Sequence, residues 1–176
     1  MGDLLWWQGA RARAVRHYEA AAQLDPSFSN LYEYANLLYL TKQYGLATKV
    51  VEDAIAANPD NYKGYSLAGR IHQFGYKQYS DAVAFYTQAL DRNPRLRATV
   101  RWRGECFMKL EEVEKALEDF KRAVELNSKS DWAFFRLGQA YAELGEIDRA
   151  NEAFDEVLRL DAGWQKRIDN IRSQQQ

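Results

Sequence analysis

The sequence has few of the residues that build covalent or metal-bound sites. Its 176 residues include one cysteine, Cys106, and two histidines, His17 and His72. One cysteine cannot form an internal disulfide, and two histidines are too few for most metal sites. Phosphate-binding glycine loops of the GxxxxGK or GxGxxG type are missing as well. We therefore expect a protein that is not an enzyme and that holds no metal and no cofactor.

Long apolar runs and an excess of one charge are also missing. No run approaches the roughly 20 apolar residues that span a bilayer. The apolar run Leu4-Leu5-Trp6-Trp7 is too short for a signal peptide, and no basic region precedes it. The 24 basic and 25 acidic residues nearly cancel, which argues against a general nucleic-acid or membrane-surface binder. These features predict a cytoplasmic protein, unless this chain has lost an upstream targeting segment.

Proline is scarce, but its placement is periodic. Pro26, Pro59 and Pro94 are 33 and 35 residues apart, and an alanine lies five residues before each. Seven residues before that alanine comes another, which recurs five times at spacings of 33, 35, 34 and 34, as Ala14, Ala47, Ala82, Ala116 and Ala150. A bulky residue follows each of these alanines after four positions, as Tyr18, Val51, Tyr86, Phe120 and Phe154. Five matches in one register indicate an internal repeat.

The first half of each repeat has a small residue of its own. It recurs as Ala35, Gly69, Gly104 and Gly138. A small residue on one helix lets a second helix approach closely, and the bulky residue of that second helix then fills the space. Proline cannot lie inside a helix, so it ends the second helix of each repeat. Each repeat is therefore predicted to be a helix–turn–helix of about 34 residues.

This pattern resembles the tetratricopeptide repeat family, and the resemblance covers nearly the whole chain. It implies an all-α fold, an α-solenoid of about five helix–turn–helix repeats that form a right-handed superhelix. The repeat domain is expected at residues 1–162, with a partial first repeat at 1–27 and full repeats at 28–60, 61–95, 96–129 and 130–162. The closing proline is replaced by Ser128 in the fourth repeat and by Ala162 in the fifth.

Three further expectations concern the organisation of the repeats. Counting back from Ala14 places Gly2 at the small position of a first helix, so the first repeat should lack about a turn and a half, and we favour truncation of a longer array over a natural cap. The third repeat carries one extra residue in its turn, around residues 75–79. Residues 163–176 should form a capping helix, with Trp164, Ile168 and Ile171 on its apolar face, and a frayed tail.

The resemblance also implies a binding surface, because in this family the first helix of each repeat lines a concave groove that binds peptides. Transferring the family's contact positions predicts a mixture of cations, rings and amides, at Tyr32, Asn36, Lys63, Arg70, Arg101, Trp102, Trp132, Phe135, Arg136 and Gln139. Arginine forks and aromatic rings suit an acidic or carboxylate-bearing peptide. The predicted function is that of a protein–protein interaction scaffold or adaptor.

Other interpretations stay open at this point. Trp102 and Trp132 could pack between repeats, and the arginines could be ordinary solvated residues. A self-associating scaffold is the main alternative, because Leu4-Leu5-Trp6-Trp7 lies at the open end of the array. RNA binding is less favoured. The carboxylate clamp of chaperone-binding family members is not matched, because its asparagine is replaced by Glu33, Leu67, Trp102 and Arg136 in successive repeats.

Individual residues that could carry chemistry have a simpler interpretation as packing residues. Cys106 lies two positions after Gly104 and is expected to be a small buried apolar residue. His72 occupies a position that usually holds an aromatic ring. Between Arg92 and Lys109 there are six basic residues and one acid, Glu105. This segment is either a set of scattered solvated charges or a positive patch that steers an acidic partner.

Overall fold

The computed structural model describes the backbone of residues 2–173 and, among these, the side chains of residue 10 and residues 13–173. In this part of the chain there are ten α-helices and no strand. The helices are α1 (Gly2–Leu24), α2 (Phe28–Leu40), α3 (Tyr44–Ala57), α4 (Tyr62–Arg70), α5 (Tyr79–Arg92), α6 (Arg97–Lys109), α7 (Val113–Leu126), α8 (Asp131–Glu143), α9 (Ile147–Leu160) and α10 (Gln165–Ser173). A π-helical segment, Ile71–Tyr76, extends α4, and a 3₁₀ turn, Ala162–Trp164, precedes α10.

Successive helices form the expected pairs. Helix α2 packs on α3, α4 on α5, α6 on α7, and α8 on α9, so the all-α repeat fold predicted from the sequence is confirmed. The helices fall into two compact units, Met1–Pro94 and Arg95–Gln176. The predicted limits of the whole repeat domain stay a prediction.

Each unit has its own apolar core. In the first unit, Ala35 and Leu38 of α2 are fully buried together with Ala47 and Ala54 of α3. In the second unit, Phe154 and Val157 of α9 are fully buried with Ile168 of α10. The repeating alanines thus lie where two helices meet.

The small and bulky positions of each repeat pack against each other, as their spacing predicts. A Cβ atom placed on Gly104 would lie 2.7 Å from the ring of Phe120, and one on Gly138 would lie 2.5 Å from the ring of Phe154. Gly69 faces the ring of Tyr86 in the same way. A larger side chain at these glycines would push the two helices of the pair apart.

The turns between paired helices share one backbone conformation. A residue with positive φ lies five positions before the repeating alanine in each complete repeat, as Lys42, Lys77, Glu111 and Gly145. In three of these turns the next residue donates its N–H to a carbonyl five residues back, as from Gln43 to Leu38 (2.8 Å). This is a Schellman-type ending of the first helix, and it reverses the chain in three residues.

The third repeat accommodates its extra residue within its first helix. There the closing hydrogen bond runs six residues back, from the N–H of Gln78 to the carbonyl of His72 (3.0 Å). The π-helical segment Ile71–Tyr76 takes up the additional residue. Gly75 in this segment lies flat against Tyr44, since a Cβ atom there would be 2.9 Å from that ring.

The structure differs from the sequence expectation in the first repeat. Gly2–Leu24 is one continuous helix of 23 residues, with no turn where a helix pair was expected. This stretch has no proline and consists largely of good helix formers such as Ala and Arg, and an isolated glycine such as Gly9 costs a helix only about 1 kcal/mol. Nothing local therefore forces the chain to turn here.

Helix α10 lies against the last helix pair. Ile168 is fully buried, and Trp164 donates its indole N–H to Asp131 Oδ2 (2.8 Å). Lys166, Arg167 and Asp169 are exposed. Arg172 is not: it is half-buried, with hydrogen bonds of 2.8 Å to Asn151 and 2.8 Å to Asp155, because these polar side chains of α9 lie within its reach. The frayed tail was expected at residues 173–176; Ser173 is the last residue of α10, and residues 174–176 lie outside the described residues.

Candidate functional site

Two arginines flank one tryptophan in the second unit. Trp132 belongs to the first turn of α8, Arg101 to α6, and Arg136 lies four residues after Trp132, so that both are on one side of α8. The guanidinium carbon of Arg101 is 5.0 Å from the centre of the Trp132 ring, and that of Arg136 is 5.4 Å from it. We call Arg101, Trp132 and Arg136 the arginine–tryptophan cluster.

The two guanidinium groups of this cluster are incompletely paired. Both Nε atoms are buried and have no hydrogen-bond partner among the described residues. Arg136 donates to Gln139 Oε1 (3.0 Å) and is 3.5 Å from Glu105 Oε1. In the described part of the chain Arg101 has no hydrogen bond and no ion pair, and its guanidinium carbon lies 5.9 Å from the centre of the Trp102 ring and 5.0 Å from that of the Trp132 ring. An unpaired half-buried arginine can still form strong hydrogen bonds to an anion.

A depression of about 260 Å³ adjoins the cluster where α6, α7 and α8 meet. Its polar lining comes from Arg97, Arg101, Asn127 and Ser130, one wall is Trp132, and three alanines complete it. We call it the Arg97–Arg101 pocket. Its volume is below the roughly 300–1,000 Å³ of small-molecule sites, so it suits one side chain of a larger ligand.

The first unit has a second group of rings and one cation. The guanidinium of Arg70, at the end of α4, lies 4.7 Å from the ring centre of Tyr39 on α2. Tyr32, about two turns before Tyr39 on α2, stacks on Phe28 with ring centres 5.7 Å apart. Burial raises the pKa of the Tyr32 hydroxyl, and the nearby Arg70 cation opposes that rise. The Tyr32 hydroxyl therefore stays neutral near pH 7 and can only donate or accept hydrogen bonds.

The structure separates the predicted contact residues into accessible and inaccessible ones. Lys63 is exposed, while Asn36, Trp102 and Gln139 are half-buried. The prediction that Phe135 is a contact residue is corrected, because its side chain is only 1% exposed and therefore belongs to the core. Trp164 covers it, with ring centres 4.5 Å apart. The capping helix thus occupies the surface that Phe135 was expected to offer.

Family models match most of the chain in separate windows. Models described as "TPR repeat" and "Tetratricopeptide repeat" match residues 104–145 and 132–164, and a further "Tetratricopeptide repeat" model matches residues 1–62. The chain belongs to the tetratricopeptide repeat family. Its helix pairs α2–α3, α4–α5, α6–α7 and α8–α9 are tetratricopeptide repeats, as the sequence resemblance implied.

Individual tetratricopeptide proteins are similar to this chain over much of its length. DnaJ homolog subfamily C member 3 of Gallus gallus is 25% identical over 167 residues, which are 87% of this chain and 33% of that protein. Hsp70-Hsp90 organizing protein 1 of Glycine max is 30% identical over 56% of this chain and 17% of its own length. The chain thus spans a third or less of these two relatives.

Solved tetratricopeptide structures share the fold at low sequence identity. The crystal structure of MamA superposes with a TM-score of 0.81 at 18% identity, over 94% of this chain and 97% of that one. YrrB, described as "a TPR protein with an unusual peptide-binding site", has a TM-score of 0.75 at 22% identity, over 91% and 82% of the two chains. These likenesses concern the fold alone.

Two arginines of the basic segment between Arg92 and Lys109 have structural partners within the repeats. Arg103 forms a two-pronged salt bridge with Asp119 of α7, at 2.9 and 2.7 Å, and Asp119 is only 3% exposed. Arg92 donates to the carbonyl of Pro59 (2.7 Å) and to the hydroxyl of Tyr65 (2.9 Å). The sequence analysis missed the Arg103–Asp119 pair, although an acid in the middle of the apolar face of α7 was a usable signal.

Cys106 and His72 serve as packing residues in their repeats. Cys106 is fully buried, and desolvation raises the pKa of its thiol to about 12, so it is not a nucleophile near pH 7. The His72 ring lies 5.1 Å from Phe85 and 5.7 Å from Tyr76, and its Nδ1 atom is 3.0 Å from Gln78 Oε1. His17 is exposed.

Two searches of the described residues found nothing that would suggest another kind of site. No three His, Cys, Asp or Glu side chains there come close enough together to hold a metal ion. Within the same residues, every helix is too short or too polar to cross a membrane. The side chains of Leu4, Leu5, Trp6 and Trp7 lie outside the described part, so self-association through them stays a prediction, as does the cytoplasmic location.

Proposed function

We propose that this chain is an adaptor module that binds a peptide or protein segment across the first helices of its repeats. The observation that carries the proposal is the arginine–tryptophan cluster of α6 and α8. Tryptophan and arginine are the residues that contribute most to protein–protein binding, especially where they are already partly desolvated. Here both residue types are held together by contacts that leave the guanidinium groups short of hydrogen-bond acceptors.

The chemistry of the cluster favours an acidic or carboxylate-bearing partner. Arg101 has no counter-ion among the described residues, and Arg136 shares its charge only with Glu105 at 3.5 Å. A carboxylate placed between them would accept charge-assisted hydrogen bonds, which are about twice as strong as neutral ones. The flat face of Trp132 would carry the apolar part of the same partner residue.

The first unit supplies further contact residues in this proposal. Arg70 of α4 and Tyr39 of α2 form a cation–ring pair there, beside half-buried Tyr32. Lys63, also on α4, is exposed. Asn36, Trp102 and Gln139 remain proposed contacts because each is half-buried on a first helix of its repeat. Phe135 is not included, because it lies in the core.

The comparisons support a binding role without naming the partner. YrrB is described as having a peptide-binding site, and the name of the Glycine max relative assigns it to the organisation of Hsp70 and Hsp90. This chain spans only 17% of that relative, and it lacks the asparagine of the carboxylate clamp. We therefore propose the class of partner, a peptide or protein segment, and not a chaperone.

Affinity capture from a cell lysate with matched variants tests the proposal. The site variant is Arg101→Glu with Arg136→Glu. The control is Arg149→Glu with Arg159→Glu, which changes the net charge equally but alters exposed residues of α9 whose ion pairs are with acids three residues earlier in the chain, Glu146 and Glu156. We expect a protein that is retained by the native chain and the control and is lost from the site variant, with all three chains equally helical by circular dichroism. A set of bound proteins that is the same for all three chains would place the interface elsewhere.

A further inference from the structure

The arginines of the second unit differ in whether they have acidic partners. Several are ion-paired within the unit, namely Arg103, Arg136, Arg149, Arg159 and Arg172. Arg97 and Arg101, which line one pocket, have no ion pair and no hydrogen bond to any described residue. Both cations that face this depression are therefore without a counter-ion among the described residues.

The rest of the pocket lining supplies donors and no acid. Asn127 accepts a hydrogen bond from the Lys129 N–H at its Oδ1 atom (3.3 Å), which leaves its amide N–H groups unused among the described residues. Ser130 accepts from the Ala133 N–H (3.2 Å), and its hydroxyl hydrogen likewise has no acceptor there. Asp131, the next residue, binds the indole of Trp164 and does not line the pocket.

We propose that the Arg97–Arg101 pocket binds a phosphorylated serine or threonine of the partner peptide. A phosphate monoester carries about −1.5 to −2 charges at pH 7 and has three strong acceptor oxygens. The two arginines balance that charge, whereas a carboxylate would leave one of them unneutralised. The hydroxyl of Ser130 and the amide of Asn127 provide donors for the third oxygen, and Trp132 packs on the carbon chain of the ligand. This inference deepens the proposed peptide-binding function and depends on it.

Three pooled peptide libraries can test the phosphate requirement. Each has the same degenerate flanking positions and a fluorescein label, and the central residue is phosphoserine, serine or glutamate. Fluorescence anisotropy titrations with the full chain should show that the phosphoserine library binds about tenfold more tightly than either of the others, because it adds charge-assisted hydrogen bonds. Equal binding of the phosphoserine and serine libraries, or of the phosphoserine and glutamate libraries, overturns the inference.

Variants of the pocket connect the preference to its residues. Arg97→Gln should weaken phosphoserine binding about tenfold, roughly the effect of one lost charge-assisted hydrogen bond, and should leave serine binding unchanged. Arg101→Gln, which also alters the arginine–tryptophan cluster, should weaken phosphoserine binding more than it weakens serine binding. Arg97 is exposed and has no hydrogen bond or ion pair to a described residue, so its replacement should preserve the fold. Arg159→Gln on α9, the matched control, should change nothing. A phosphoserine preference that survives both pocket variants overturns the assignment.

The same titrations separate this inference from the proposed function. If all three libraries bind equally and binding is lost in Arg136→Glu, the peptide surface stands and the phosphate pocket fails. If no library binds, both proposals fail. A labelled octauridylate that binds more tightly than the phosphoserine library overturns the inference in favour of RNA phosphates, whose binding also falls steeply with added salt.

Discussion

Arginine side chains in the second unit have environments that differ in burial and in partner. Arg103 is largely buried and holds Asp119 of the neighbouring helix with two short hydrogen bonds. Arg101, two residues earlier on α6, has rings as its only partners in the described structure. Two residues along a helix is about 200° around its axis, so these neighbours face opposite sides. One of them joins helices within a repeat, and the other is available to a ligand.

The Arg103–Asp119 pair leads to a prediction about stability. Asp119→Ala should lower the free energy of unfolding by about 3 kcal/mol, because it removes the carboxylate and leaves a largely buried guanidinium. The double variant Arg103→Met with Asp119→Leu should lie within about 1 kcal/mol of the native chain, since two apolar side chains of similar size need no pairing. Urea unfolding at pH 7 measures both. A loss below about 1 kcal/mol in Asp119→Ala would show that water already shares this pair.

At the scale of the helix and turn, the turns within the four complete repeats all have a left-handed backbone conformation at the same position. The amino acid at that position differs. Gly145 adopts φ of 75° without a side chain, whereas Lys42, Lys77 and Glu111 adopt φ near 60° with one. The left-handed region costs a residue other than glycine roughly 1–2 kcal/mol. The turn geometry, with its backbone hydrogen bond to the preceding helix, therefore outweighs the local preference at three of four positions.

This geometry predicts opposite effects of two substitutions. Glu111→Gly should stabilise the second unit by about 0.5 kcal/mol, because relief of strain exceeds the added freedom of glycine in the unfolded chain. Gly145→Ala should destabilise it by about 1 kcal/mol through strain alone, because nothing lies within 4 Å of the new Cβ atom. Thermal melting of the two variants beside the native chain tests both signs. Melting temperatures shifted in the same direction would contradict the left-handed assignment at one of the turns.

At the scale of the whole second unit, the capping helix determines both stability and what a ligand can reach. Trp164 covers Phe135, and Ile168 is buried beside Phe154 and Val157. Without α10, a row of apolar side chains on α8 and α9 would face water, which end repeats of a solenoid avoid by carrying a cap. The cap also removes Phe135 from the proposed binding surface, so that surface ends with Trp132, Arg136 and Gln139.

Removal of the cap's main anchor should therefore destabilise the unit. Trp164→Ala should cost about 3 kcal/mol, since it deletes a large ring packed at 4.5 Å on Phe135 together with its hydrogen bond to Asp131. Lys166→Ala, at an exposed position two residues later in α10, is the control and should stay within about 0.5 kcal/mol. Chemical unfolding gives the free energies. An unchanged stability of Trp164→Ala would mean that Phe135 is shielded without the cap.

The repeats could be read from the sequence because their determinants are local and periodic. Gly104 and Phe120, 16 residues apart, already specify that two helices meet closely. Three of the predicted contact residues, Arg101, Trp132 and Arg136, do come together from neighbouring repeats. That they bind a partner stays a prediction. The π-helical segment was visible only as one extra residue near Gly75, because a count of residues does not say which backbone hydrogen bonds will shift to accommodate it.

What the sequence by itself determined is the four helix pairs from α2 to α9, their order and the helices that carry the proposed contacts. Small, bulky and proline positions recur every 33 to 35 residues, and each acts on its own helix or on the next. The tertiary structure alone decided that Phe135 is buried, that Arg103 is paired, and that Arg97 and Arg101 are not. Such outcomes depend on distances between side chains of different helices, and a difference of a few ångströms there separates a salt bridge from an unpaired cation.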